Sequence, residues 1–134
     1  MNRNQTVEIN HLTVLQIQYL TELEQLEKGR GIIGAVAAKC GVKHPTVSRF
    51  FKSCIEKGYL TESLEFTDKG KKMLRWHQKV QKDVREYLER SGITEGIDDV
   101  LKGMIENIDY RRLEELTKSH MRINKEIRMQ KEQN

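Results

Sequence analysis

The chain has 134 residues, enough for one domain with a modest core, or for a domain and a half, and too few for a large enzyme. Charged residues make up 33% of it and aromatic residues 6%, with a single proline, a composition that favours helices over a β-sandwich or barrel. The formal net charge of +4 is compatible with a nucleic-acid partner without selecting one, and no stretch reaches the ~20 apolar residues of a membrane span, so we expect a cytoplasmic protein that does not bind membranes.

The first predicted element is an amphipathic helix over residues 11–27. Its apolar residues recur at helical spacing, and the sequence KGRG at 28–31 ends the run. These apolar residues are Leu12, Leu15, Tyr19, Leu23 and Leu26. We expect the helix to pack across the back of the two helices that follow it.

Residues 33–52 have the spacing of a helix-turn-helix, which predicts one helix over Ile32–Cys40 and a second over residues 45–57. Gly41 is predicted to adopt the left-handed conformation that ends the first helix, and Ala37 is small where the two helices cross. Pro45 suits the first helical position, because it lacks an N–H and its φ is already helical. The apolar residues expected to join the two helices are Val36, Cys40, Val42, Val47 and Phe50.

A short extended pair is predicted after Gly58, which ends the second helix. Residues 59–61 and 64–66 are separated by only two residues, the pattern of a small β-hairpin that would form the wing of a winged helix-turn-helix. Thr67 is then expected to cap a long helix that ends near Glu89. Because the wing is short, we expect DNA specificity to depend more on the second helix of the helix-turn-helix.

The remaining residues predict a helix over 94–108 and a last helix capped by Asp109. In the last helix, an a/d rhythm like that of a coiled coil is formed by Leu113, Leu116, His120, Ile123 and Ile127. So short a stripe needs a partner surface, either the chain's own long helix or a second subunit. We therefore predict an all-α protein with a small β-wing, in which a winged helix-turn-helix domain over residues 1–66 precedes a helical dimerisation region over 67–134.

Motifs for catalysis are absent from the sequence, which contains no G-x-S-x-G, P-loop or H-E-x-x-H, so we do not expect an enzyme. The two cysteines, Cys40 and Cys54, lack metal-ligand spacing and are expected to be small buried side chains in a reducing cytosol.

The candidate DNA-binding residues are the outward-facing ones of the second helix, on the hypothesis that this helix enters the major groove. They are Lys43, His44, Pro45, Thr46, Ser48, Arg49 and Lys52, joined by Lys69 and Lys71, with Lys72 and Arg75 beside them, at the start of the long helix. Arg49 has the planar fork that contacts O6 and N7 of guanine together, while Lys52 suits a phosphate. The alternative is that this is the solvated face of an ordinary surface helix.

Three stretches resemble the diphtheria toxin repressor family of iron- and manganese-dependent repressors. They are VAAKCGVKHPTVSRFFKSCIEKGYL at 36–60, LEFTDKGKKML at 64–74 and RWHQKV at 75–80. The resemblance implies a homodimeric repressor. It would bind a palindromic operator after a divalent metal such as Mn, Fe or Zn binds between its DNA-binding and dimerisation regions. The residues predicted for the dimer contact are Trp76, Val80, Val84, Leu101, Ile105, Leu113 and Leu116.

The metal ligands that the resemblance implies are mostly missing. His77 falls on a ligand histidine of the family and is a candidate, but the other ligand positions hold Gln81, Leu101, Met104 and Ile105, and Leu15 and Gln18 near the N-terminus. A single imidazole among aliphatic side chains cannot hold iron or manganese, so we predict that the metal switch is lost and no cofactor is bound. A site in a shifted register stays open as an alternative, with Asp98, Asp99, Glu106 and Asp109 as its carboxylates.

The function predicted from these residues is a sequence-specific transcriptional regulator, a repressor, that binds a palindromic site on double-stranded DNA as a homodimer. One alternative resembles the multiple-antibiotic-resistance class, with a small-molecule effector in a pocket lined by Met73, Trp76, Met104 and Tyr110. Another is a protein-interaction module that keeps the winged fold without binding DNA.

Overall fold

The computed structural model describes residues 12–133, and within that range every side chain except that of residue 124. The described chain forms six helices: α1 (Val14–Gln25), α2 (Ile32–Cys40), α3 (His44–Glu56), α4 (Asp68–Arg90), α5 (Ile97–Asn107) and α6 (Tyr110–Gln133). All of them were expected, α2 with both of its ends, and the predicted all-α class is confirmed for this part of the chain. The predicted first residue of α1, His11, lies outside the described residues.

Helix α1 begins at Val14 because Thr13 forms a capping box with Gln16. The Thr13 hydroxyl accepts from the Gln16 backbone N–H at 3.1 Å, and the Gln16 side-chain oxygen accepts from the Thr13 N–H at 3.0 Å. Leu20 and Leu23 are fully buried on the inner face of this helix. Helix α1 packs against α2, and α2 against α3, so the expected contact of α1 with the helix-turn-helix is confirmed for its first helix.

The predicted β-hairpin was wrong in its extent. Within residues 12–133 the pairing after α3 is reduced to one isolated antiparallel bridge between Leu60 and Phe66. The Tyr59 N–H still donates to the Cys54 carbonyl at 2.9 Å and so belongs to the end of α3, while Thr67 already caps α4. Backbone hydrogen bonds flank the bridge, from the Thr61 N–H to the Glu65 carbonyl at 2.8 Å and from the Thr67 N–H to the Tyr59 carbonyl at 3.1 Å. Because α3 ends and α4 begins directly beside them, the pairing does not lengthen into a ladder.

Contacts divide the described chain into two compact units, Leu12–Gln78 and residues 79–133. The first unit has one apolar core built by α1, α2, α3, the bridge and the first turns of α4. The division falls within α4, later than the predicted domain boundary after Phe66, which stays a prediction because contacts alone do not test which segments fold independently.

The second unit is built around buried residues of the end of α4, α5 and α6, among them Val84, Ile105 and Leu113. Tyr110 is fully buried, its hydroxyl accepts from the Gln81 amide at 3.0 Å, and burial raises its pKa to about 12. The predicted Asp109 cap of α6 is confirmed, since its carboxylate accepts from the Arg112 backbone N–H at 3.0 Å. None of the helices in residues 12–133 is long and apolar enough to cross a membrane.

Candidate nucleic-acid interface

The turn between α2 and α3 has the geometry that the sequence predicts. Gly41 has φ 68° and ψ 33°, the left-handed conformation that a side chain would strain. The next N–H, of Val42, donates back to the Ala37 carbonyl at 3.0 Å and closes the end of α2. Val36 and Ala37 are buried beneath the turn, so the crossing of the two helices is close. This turn sets the direction in which α3 leaves the core.

Helix α3 is held by its apolar face. Val47, Phe51 and Cys54 are buried, which confirms the predicted burial of Val47 and Cys54. Phe50 is half-buried, with its ring in edge contact with the ring of Tyr19 at a centroid distance of 5.8 Å. Because successive turns of α3 and the adjacent α1 both contribute to this packing, the opposite face of α3 is presented to solvent in a defined orientation.

The two cysteines differ in burial. Cys54 is buried as predicted, and burial raises its pKa to about 12. Cys40 is half-buried, so the prediction that it is buried was wrong; burial and then the nearby Glu22 carboxylate raise its pKa. Helix α2 ends at Cys40, where the chain turns toward the surface, and this leaves the thiol partly exposed. Neither thiol has the depressed pKa of a reactive cysteine.

The outer face of α3 carries the predicted DNA-binding residues. The exposed ones are Lys43, His44, Pro45, Thr46, Arg49 and Lys52, whereas Ser48 is half-buried. The helix begins at His44, so Pro45 occupies its second position and not the predicted first one. No acidic residue lies in the first turn of α3, and within residues 12–133 neither Arg49 nor Lys52 has an ion-pair partner. The exposed basic groups are therefore able to bind an external anion.

Glu56 was missed by sequence reasoning and lies on the same exposed side of α3. It follows Lys52 by four residues and Arg49 by seven, so the three side chains share one line along the helix. The signal was present in the helical spacing, but residues beyond Lys52 were left out of the predicted surface. A carboxylate at this end of the face lowers the attraction of the neighbouring basic groups for an external anion.

Two of the four basic residues at the start of α4 have partners inside the chain. The Lys69 ammonium donates to the Lys57 carbonyl at 2.8 Å and lies 5.3 Å from the centre of the Tyr59 ring, so it caps the end of α3. Arg75 forms a two-pronged ion pair with Glu24, with N–O distances of 2.9 and 2.5 Å. Lys71 and Lys72 are exposed. Within the described part of the chain, Lys71 and Lys72 are thus the two members of this predicted phosphate-binding group that have no such hydrogen bond or ion pair.

A protein-family model described as wHTH-PRTase associated matches residues 20–94, more than half of the chain, including the whole helix-turn-helix and α4. The chain belongs to the wHTH-PRTase associated family. This match establishes a winged helix-turn-helix domain and does not test the narrower resemblance to the diphtheria toxin repressor family, which stays a prediction. Comparisons with curated proteins and with solved structures found no match.

Metal-ligand geometry is not assembled in the described part of this winged helix-turn-helix chain. His77 is fully buried, with Nδ1 2.8 Å from the Met73 carbonyl oxygen and its ring in edge contact with Trp76. The shifted-register alternative has four carboxylates, those of Asp98, Asp99, Glu106 and Asp109. The first of them, Asp98, forms an ion pair with Arg85. Among residues 12–133, no group of three or more His, Cys, Asp and Glu side chains is placed to hold a metal ion. The donor set that the resemblance implies therefore does not fit the site.

The residues predicted for the dimer and the effector pocket lie in different surroundings. Five of the dimer residues are buried in the core of the second unit, where a second copy could reach them only by opening that unit: Val80, Val84, Leu101, Ile105 and Leu113. Leu116 is 39% exposed and Trp76 is half-buried. Of the predicted pocket residues, Met73 and Trp76 lie in the first unit, and Met104 and Tyr110 in the second.

Proposed function

We propose that this winged helix-turn-helix chain is a sequence-specific DNA-binding transcriptional regulator that places α3 in the major groove. The observation that carries the proposal is the exposed basic face of α3, held in orientation by the buried face behind it. Membership of a winged helix-turn-helix family supports the same interpretation. No catalytic role is part of the proposal.

Each exposed side chain of α3 has a role that follows from its chemistry. Arg49 contacts a base edge, because its guanidinium can donate two hydrogen bonds to guanine at once. Lys43 and Lys52 bind phosphates and so position the helix without selecting a sequence. Thr46 donates from its hydroxyl to a base or to a phosphate, and the N–H groups of the first turn, which has no acidic residue, add to the attraction for a phosphate.

A homodimer on a palindromic operator, acting as a repressor, is the finer form of this proposal. One small module makes few contacts, whereas two modules linked in a dimer add their binding free energies on half-sites about 34–36 Å apart, or a multiple of that distance. The resemblance to the diphtheria toxin repressor family supports repression and a two-fold symmetric site. The family name associates its members with a PRTase, which makes a PRTase a candidate protein partner.

The proposal is tested by selecting bound duplexes from a random pool, with and without Mn²⁺, Fe²⁺ and Zn²⁺, followed by fluorescence anisotropy on the selected sites. Arg49→Ala is expected to lose about 1–3 kcal/mol of binding free energy, concentrated at one base position of each half-site. Lys52→Ala is expected to weaken binding to all duplexes alike and to reduce the salt dependence.

The matched control is Lys102→Ala, which removes an exposed lysine from α5 and is expected to leave DNA affinity unchanged. An equal loss on every duplex for Arg49→Ala would remove this residue as a base contact while keeping DNA binding. A chain that binds no duplex even at low salt would overturn the proposed function and favour the protein-interaction alternative.

A further inference from the structure

The C-terminal half of α6 is a helix without a covering surface in this chain. Every side chain that the structure describes in residues 121–133 is exposed. A helical stretch of this length is marginal by itself in water, so it gains most of its stability from a surface that packs against it. Large apolar side chains are among those exposed, with Ile123 56% and Ile127 47% exposed. Nothing in residues 12–133 covers them.

Helix α6 extends beyond the end of its neighbour α4 in this region. Gln81 of α4 contacts Tyr110, and Tyr87 contacts His120 with ring centroids 4.8 Å apart, so the two helices run in the same direction. Helix α4 ends at Arg90, about one turn after Tyr87, whereas α6 continues for 13 residues after His120. The chain's own long helix is therefore too short to cover the part of this stripe that lies beyond His120.

The exposed apolar residues of α6 divide into two groups by their position around the helix. Leu116, Ile123 and Ile127 follow one another at intervals of seven and four residues, within about 40° of one line, and we name these three residues the α6 seam. Met121 and Met129 are exposed to a similar degree but lie on the other side of the helix. The seam continues the a/d pattern that begins at the buried Leu113.

We infer that the α6 seam is the contact with a second copy of this chain, in a parallel and in-register helix pair. This inference rests on the proposed homodimeric regulator and assigns its interface to a surface that the chain leaves exposed. Three apolar positions per chain make a short interface, so the dimer forms reversibly with concentration.

The charged residues beside the seam indicate which partner helix packs on it and whether that helix runs parallel or antiparallel. Glu126 precedes the seam residue Ile127 and Lys131 follows four residues after it, which are the g and e positions of the heptad. In a parallel in-register pair, each Glu126 meets the Lys131 of the other copy, giving two attractive contacts by symmetry. In an antiparallel pair in which Ile123 packs on Ile127, each Glu126 would instead lie opposite the Glu126 of the other copy, and the two like charges would repel. Charge complementarity thus favours a parallel second copy.

The decisive measurement is the mass of the full chain by sedimentation equilibrium over a range of concentrations, without DNA. We expect the mass to rise toward twice the 15.8 kDa of one chain. The double variant Ile123→Asp, Ile127→Asp is expected to weaken the dimer by at least about tenfold, because it places charges in the apolar contact. The matched control, Met121→Asp with Met129→Asp, changes two exposed apolar residues on the other side of the same helix and is expected to leave the dimer intact.

The direction of the pair is tested separately with exposed charges that no core depends on. Glu126→Lys and Lys131→Glu are each expected to weaken the homodimer, because each variant sets like charges against one another. An equimolar mixture of the two variants is expected to dimerise more tightly than either variant alone, because both contacts become attractive in the mixed parallel pair. Mixing without any gain would overturn the parallel register.

Failure of the seam and failure of the proposed function give different results. A full chain that stays at 15.8 kDa at every concentration would overturn the seam, whether or not the chain binds DNA. Equal weakening by the methionine control and by the isoleucine variant would overturn its placement on this side of α6. A stable dimer with no affinity for any duplex would overturn the proposed regulator and leave the seam intact.

Discussion

Helix α3 and the C-terminal half of α6 are both amphipathic, but only α3 buries its apolar face within the chain. In α3 the apolar residues Val47 and Phe51 are buried and the basic residues are exposed. In α6 the residues Ile123 and Ile127 are exposed together with the charged residues around them. An apolar stripe at helical spacing therefore predicts that this face of the helix packs against another surface. It does not tell whether that surface belongs to the same chain.

The difference has a consequence for what each helix can do. A helix that is fixed by its buried face presents its outer side chains in a constant orientation, as recognition of base edges requires. Beyond its core contacts, α3 is secured at its end by Lys69, whose ammonium binds the Lys57 carbonyl. A helix whose apolar face is uncovered is suited to association, because covering that face is what stabilises it.

The largest expected effect comes from removing a buried side chain of α3. Phe51→Ala is expected to lower the free energy of unfolding by about 3–5 kcal/mol, since the ring is buried and its loss leaves a cavity. Ile127→Ala is expected to change it by at most about 0.5 kcal/mol at low protein concentration, because that side chain is exposed in the single chain. Urea unfolding of both variants measures the contrast, and equal losses would contradict the difference between the two helices.

A smaller effect is expected where α4 passes the end of α3. Gly70 has no room for a side chain, since a Cβ there would lie 2.0 Å from the Tyr59 carbonyl oxygen. Gly70→Ala is therefore expected to lower the free energy of unfolding by about 2–3 kcal/mol, because backbone must move to admit the methyl group. The control is Gly103→Ala in α5, where nothing lies within 4 Å and the better helix former is expected to stabilise by up to about 1 kcal/mol. If the two variants had the same stability, the close approach at Tyr59 would be refuted.

Sequence reasoning succeeded where a residue type has one dominant conformational role. Gly41 ends α2 in the left-handed conformation, and Asp109 caps α6, as local chemistry predicts. The prediction of the wing failed in its extent because its first residue was already needed elsewhere. Tyr59, counted as a strand residue, donates its N–H to the end of α3, and α4 begins directly after its predicted cap Thr67, so strand pairing has little room between the two helices.

The candidate site was predictable in its position but not in all of its members. Their charge predicts that Lys69 and Arg75 bind phosphates. In the folded chain, however, the Lys69 ammonium donates to the backbone carbonyl of Lys57, and Arg75 pairs with the carboxylate of Glu24. The ion pair of Arg75 joins residues 51 positions apart, a contact that no local pattern encodes. Likewise, periodicity identified Leu113 and its neighbours as apolar face residues, but whether they are buried within one chain or between two depends on tertiary packing.

The smallest expected effect concerns the acidic end of the α3 face. Glu56→Gln is expected to tighten DNA binding by about twofold at low salt, because it removes a negative charge near the phosphates while keeping the size of the side chain. The gain is expected to fade at higher salt, which anisotropy titrations at two ionic strengths measure. Glu106→Gln, an exposed carboxylate of α5, is the control and is expected to have no effect. Weaker binding by Glu56→Gln would instead identify this carboxylate as an acceptor for a cytosine amino group and extend the base-contacting surface of α3 toward its C-terminal end.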